Sequence, residues 1–101
     1  MEYAIVYRPG PSWKQGVPAD QQALNGHIAY VQQLRTQHKL VQDCPFLGDQ
    51  KVTVVEVDSQ AEAEAIASAD PAVGNRVLDA TITTWNIVFG LNADRLLPRK
   101  I

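Results

Sequence analysis

The chain is short of most features that would announce a partner or an export route. It holds one cysteine, Cys44, so no internal disulfide can form, which fits a reducing cytoplasm as the expected compartment. No apolar run approaches the roughly 18 residues a membrane helix requires, and no apolar segment follows a charged start, so neither a membrane span nor a secretory leader is expected. Charge of either sign is scarce. Nine Lys and Arg against eleven Asp and Glu give a formal charge of -2, and the basic residues cluster only at Arg95, Arg99 and Lys100, which argues against nucleic acid or an anionic membrane as partner. Neither a G-x-G-x-x-G nor a P-loop pattern occurs, so no nucleotide site is expected. There are two histidines, His27 and His38. Eleven residues apart on one helix, they would stand about 16 Å apart along its axis, too far to share an ion, and no metal or other cofactor is predicted.

What remains reads as a single domain over residues 1–90 with a tail over 91–101, small enough to gain from self-association. Tyr3, Ile5 and Tyr7 alternate with Ala4 and Val6 in a first strand, Tyr3 to Arg8, stopped by Pro9-Gly10-Pro11. A loop carrying Ser12, Trp13 and Lys14 leads to a helix from about Ala19 to His38. A second strand runs from Leu40 to Phe46, and Gly48-Asp49-Gln50 turns the chain into a third, Lys51 to Val57, with Val52, Val54 and Glu56 on one face and Thr53, Val55 and Val57 on the other. Ser59-Gln60-Ala61-Glu62 reads as a capping box opening a second helix that extends to Ala69. Asp70-Pro71 ends it, a short turn follows over Ala72 to Asn75, and a long strand covers Arg76 to Phe89, with Trp85 and Ile87 on one of its faces.

The order βαββαβ is that of the ferredoxin-like α+β fold. Its alternation of directions brings the N-terminal part of the first helix and the C-terminal end of the second to one end of the sheet. His27 lies in the former and Asp70 in the latter. Arg8, the loop with Ser12 and Trp13, and the strand end with Pro45 and Phe46 reach the same end.

His27 borders a helical stripe of Leu24, Ile28, Val31 and Leu34, where a titratable ring is unexpected. A carboxylate accepting from one imidazole nitrogen would fix the tautomer and leave the other nitrogen for proton transfer, so His27 and Asp70 are the candidate catalytic pair. The same residues also fit a satisfied core histidine and a polar helix terminus. A carboxylate at a helix C-terminus is electrostatically unfavourable, which weighs towards a specific role for Asp70. Candidate substrate contacts are Arg8, Ser12, Trp13, Tyr30 and Phe46: Arg8 as an anion clamp or a surface ion pair, Tyr30 beside His27 on the helix or as packing. Asp43 faces either the pocket or solvent, and Cys44 reads as a small strand hydrophobe rather than a nucleophile.

Four segments, Tyr3-Ala4-Ile5-Val6-Tyr7-Arg8-Pro9-Gly10-Pro11 with Trp13, His27-Ile28-Ala29-Tyr30, Cys44-Pro45-Phe46-Leu47 and Ala69-Asp70-Pro71-Ala72-Val73, together resemble the YCII-related family of dimeric α+β barrel proteins. The likeness spans about residues 2 to 90. It implies a ferredoxin-like subunit whose sheet packs against that of a second copy, and an active site on the histidine and aspartate that align with His27 and Asp70. The family includes dehydrochlorination of a chlorinated hydroxyhydroquinone in aromatic breakdown, and the wider superfamily includes muconolactone isomerases. This chain has Cys44 where the family usually places glycine. Two functions are compatible with these features: a cofactor-independent lyase or isomerase moving a proton on a small hydroxylated aromatic, enol or lactone, and a non-catalytic small-ligand binding or accessory domain. The first is the expected one.

Overall fold

A computed structural model describes residues 1–84. Its elements are β1 (Glu2–Pro9), α1 (Asn25–Thr36), β2 (Leu40–Asp43), β3 (Lys51–Glu56), α2 (Gln60–Ser68), α3 (Pro71–Gly74) and β4 (Leu78–Thr84), with a single 3-10 turn at Ala19–Gln21. The four strands form one antiparallel sheet in the order β2-β3-β1-β4, which is the ferredoxin-like topology. Among the described residues no helix is long and apolar enough to cross a membrane.

Side-chain alternation explains how the sheet divides its residues. Tyr3, Ile5 and Tyr7 of β1 stand opposite Val55, Thr53 and Lys51 of β3, and on the other side opposite Thr84, Ile82 and Ala80 of β4. This face carries the core, in which Tyr3, Ile5, Tyr7 and Val55 pack with Leu24 and Leu34 from the α1 segment and with Ala63, Ile66 and Ala67 of α2. Ala4, Val6, Val52 and Val54 project to the opposite face, where Val6 and Val52 are register partners and keep partial exposure.

The first helix is shorter than its periodicity suggests. Gln22 is extended, with φ -83 and ψ 165, because its side chain satisfies the loop before it: its amide oxygen accepts from Lys14 N at 2.8 Å, and its amide nitrogen donates to the carbonyls of Lys14 and Val17 at 2.9 and 2.8 Å. A local side-chain network has won over helical continuation. At the other end His38 sits at φ 61, with its N–H donating to Arg35 O and that of Lys39 to Leu34 O, the paired bonds of a Schellman stop. His38 is therefore an exposed helix terminator at the opposite end of α1 from His27.

Other boundaries differ for equally local reasons. Strand β2 stops at Asp43 after a register shift between Leu40 and Gln42, and Pro45 has no N–H to continue a ladder. Ser59 caps α2 by accepting from Glu62 N at 3.2 Å, while the Glu62 carboxylate accepts from Asp58 N rather than Ser59 N, so the capping box closes one residue early. The segment after Asp70 is a short helix, with Pro71 at its first position. The expected strand beyond Thr84, with Trp85 and Ile87, and the tail over 91–101 lie outside the described residues.

Candidate active site

The stripe that α1 buries is Leu24, His27, Val31 and Leu34, with Ile28 58% exposed. His27 thus occupies the middle of the core-facing side rather than its border. Gly26 makes that placement workable: a Cβ there would stand 2.9 Å from the Pro71 Cβ, so the missing side chain lets the start of α1 approach the Asp70-Pro71 corner.

At that corner the His27 Nδ1 and Asp70 Oδ2 atoms are 2.5 Å apart, with the two side chains 1% and 0% exposed. The other Asp70 oxygen, Oδ1, accepts from Ala72 N at 2.9 Å. Asp70 is therefore the N-cap of α3 rather than a carboxylate stranded at the C-terminus of α2. The helix-end repulsion expected from sequence is absent, because its charge faces the orphan amides of the next helix.

A residue that sequence reasoning passed over completes the arrangement. Lys51, the first residue of β3, places Nζ 2.6 Å from His27 Nε2 and 2.7 Å from Asp43 Oδ1, and is 7% exposed. Thr53 donates to the same Asp43 oxygen at 2.8 Å. With a carboxylate at Asp70 and an ammonium at Lys51, donor and acceptor logic sets the ring: Asp70 accepts from Nδ1–H, and Lys51 donates to an unprotonated Nε2. The result is a continuous chain, Asp70–His27–Lys51–Asp43, drawn from four separate elements.

Tyr7 meets the His27 ring edge to face at 5.0 Å and is fully buried. Its hydroxyl has no hydrogen-bond partner among the described residues. Burial pushes the phenol well above its ordinary value, and the negative charges of Asp70 and Asp43 act in the same direction. Because the folded-state value is raised, this group's contribution to stability is intact below the unfolded value of about 10 and is lost as pH rises beyond it. We expect the melting temperature to fall more steeply above about pH 10 in the wild type than in Tyr7→Phe, with Tyr7→Phe no less stable at neutral pH because it removes an unpaired hydroxyl. Thermal melts of both proteins across that range test this.

The chain of polar groups opens on a cavity of about 530 Å³, within the range of small-molecule sites. Leu24, Ile28, Pro45 and Phe46 give it apolar walls, Lys51 and Asp43 supply polar ones, and His27 lines it beside Lys51. Of the expected substrate contacts, Phe46 lines this cavity. Trp13 is buried against Phe46, with ring centroids 6.1 Å apart, and lines an adjoining depression instead. Ser12 is exposed and held by its backbone N–H on Arg76 O. Arg8 is exposed on the sheet face opposite Tyr7, away from His27, since neighbouring strand residues alternate. Tyr30 spends its hydroxyl on Ile66 O at 2.8 Å and ties α1 to α2. Asp43 faces the cavity through its bond to Lys51, and Cys44 lines the same wall, half-buried.

The profile of the YCII-related domain matches residues 1–86. The chain belongs to the YCII-related family. No curated protein matches the chain. Among solved structures, this YCII-related chain is similar to 5-chloro-2-hydroxyhydroquinone dehydrochlorinase from Burkholderia phenoliruptrix AC1100, in complex with 2,5-dihydroxybenzoquinone. The TM-score is 0.60 at 16% identity, with 84% of this chain and 93% of that chain covered. At that identity the likeness is one of fold.

Proposed function

We propose that the protein is a cofactor-independent lyase or isomerase in which His27, oriented by Asp70, moves a proton on a small hydroxylated aromatic, enol or lactone. The observation that carries this reading is the 2.5 Å contact between His27 Nδ1 and Asp70 Oδ2 beside a largely apolar cavity. Asp70 holds the tautomer and stabilises the imidazolium that forms when Nε2 takes a proton. The contact of Nε2 with Lys51 defines the route: the ammonium gives one proton to Nε2 and is refilled from the substrate hydroxyl, leaving an oxyanion beside a restored ammonium.

Loss of HCl is a reaction this arrangement suits. In the keto tautomer of a chlorinated hydroxyhydroquinone, a remaining hydroxyl gives its proton to Lys51 as His27 takes one. The released O–H pair becomes a new C=O, and its push through the conjugated ring expels chloride with the C–Cl pair. Support for this substrate class comes from family membership and from the ligand named for the structural neighbour. Chloride release and the appearance of quinone absorbance from 5-chloro-2-hydroxyhydroquinone, alongside a small panel of enols and lactones, test it. Turnover reduced by about two to four orders of magnitude in His27→Asn is expected, and absence of turnover for every compound tested contradicts the reading.

We also propose that two copies pair through the sheet face bearing Val6 and Val52, closing a dimeric α+β barrel. The support is the partial exposure of Val6 and Val52, β-branched register partners beside the buried Ala4 and Val54 on the face away from the helices. Sedimentation equilibrium at micromolar concentration should give a dimer, and a monomer there sinks the proposal.

A further inference from the structure

The chemistry around Lys51 narrows what the cavity takes. An ammonium carries three donors, and among the described residues Lys51 Nζ has two hydrogen-bonding partners, His27 Nε2 and Asp43 Oδ1. The group lines the cavity, with the Phe46 ring centroid 5.9 Å and the Tyr7 ring centroid 5.8 Å from Nζ. Neither ring can accept a conventional hydrogen bond. A buried cation with a donor to spare is best completed by an oxygen bearing negative charge.

The same cavity limits how much charge enters with that oxygen. The carboxylates of Asp43 and, at the exposed mouth, Asp20 also line it, so a polyanion would meet like charge on two sides. Apolar walls from Leu24, Ile28, Pro45 and Phe46 suit a flat hydrocarbon body. We infer that Lys51 is the anchoring residue for a planar ligand carrying one ionised hydroxyl, a phenolate or enolate, held by the third ammonium N–H. The inference rests on the acid–base reading of the same cavity and deepens it: it assigns the reacting oxygen to Lys51 and leaves His27 and Asp70 behind it as the proton store.

The test is binding rather than turnover. Titration calorimetry compares 4-nitrocatechol, used just above neutral pH where it is a monoanion, with its uncharged dimethyl ether, on wild type and on Lys51→Met. Wild type should prefer the catecholate by at least about tenfold, the usual worth of a charge-assisted hydrogen bond. Lys51→Met should lose that preference while holding the ether as before. Where Lys51→Met proves unfolded by circular dichroism, the double variant Lys51→Met/Asp43→Asn, which leaves no unpaired charge, takes its place with the same expectation. Absence of a catecholate preference in wild type, or its survival in the folded variant, overturns the inference. A Lys51-dependent preference in a protein that turns over none of the candidate substrates leaves the anchor standing and removes the lyase reading instead.

Discussion

His27→Asn should cut turnover by about two to four orders of magnitude, the range for losing a positioned acid or base, while leaving substrate affinity within a few fold. The asparagine amide can donate one hydrogen bond towards Asp70 but cannot take and return a proton at the Nε2 position. Loss of the relay therefore appears in kcat. The fold should survive because the Asp70 cap on α3 and the Lys51–Asp43 pair do not depend on the ring. Steady-state kinetics beside a thermal melt check both halves. A drop in melting temperature with kcat unchanged would make His27 a core histidine and nothing more.

Asp70 should show the largest effect on stability. Its two oxygens serve two buried donors, His27 Nδ1 and Ala72 N, and the residue is 0% exposed. Asp70→Ala removes the α3 cap, worth about 1 kcal/mol, and strands a buried imidazole N–H at a further cost of about 1–3 kcal/mol. The sum is about 2–4 kcal/mol of destabilisation, readable in a urea melt as a fall in midpoint with little change in slope. Asp70→Asn should cost markedly less, because its single carbonyl oxygen and amide can preserve one of the two contacts and asparagine caps well. Its turnover should still fall, since a neutral amide does not stabilise an imidazolium as a carboxylate does. Equal destabilisation by the two variants would show that the cap and the imidazole bond are not what Asp70 provides.

Much of this architecture is legible in the sequence because its signals are periodic. Alternation in Tyr3-Ala4-Ile5-Val6-Tyr7 and Lys51-Val52-Thr53-Val54-Val55 defines strands with a core face, and Pro9-Gly10-Pro11 marks the end of the first, which pairing with β4 carries one residue further than expected, through Pro9. The direction of each element in a βαββαβ fold then carries His27 towards Asp70 across the 43 residues that separate them. What periodicity does not carry depends on side chains satisfying backbone groups nearby in the chain. The early break before α1 is made by Gln22 reaching three backbone groups of its loop, and nothing in periodicity announces that. Asp70 read as the end of α2 because a four-residue helix has too little pattern to be recognised, so its capping role was hidden.

Lys51 is the instructive omission. Counting by twos along β3 puts it on the same face as Thr53 and Val55, where a charged side chain needs a partner as much as His27 does. The signal was present in the alternation, yet a lysine at a strand start beside a turn reads as solvent-facing. Arg8, the cation that the sequence offers as an anion clamp, sits one residue after Tyr7 and so turns to the other side of the sheet.

The tautomer of His27 tests the central arrangement most directly, since the whole chain Asp70–His27–Lys51 depends on it. A long-range proton–nitrogen correlation spectrum of uniformly labelled protein at neutral pH, with His27→Asn for assignment, distinguishes the two ring nitrogens. The account predicts Nδ1 protonated and hydrogen-bonded to a carboxylate, with Nε2 unprotonated and accepting from Lys51. A His27 ring carrying its proton on Nε2, or showing no Nδ1–H bond that Asp70→Ala removes, would contradict it.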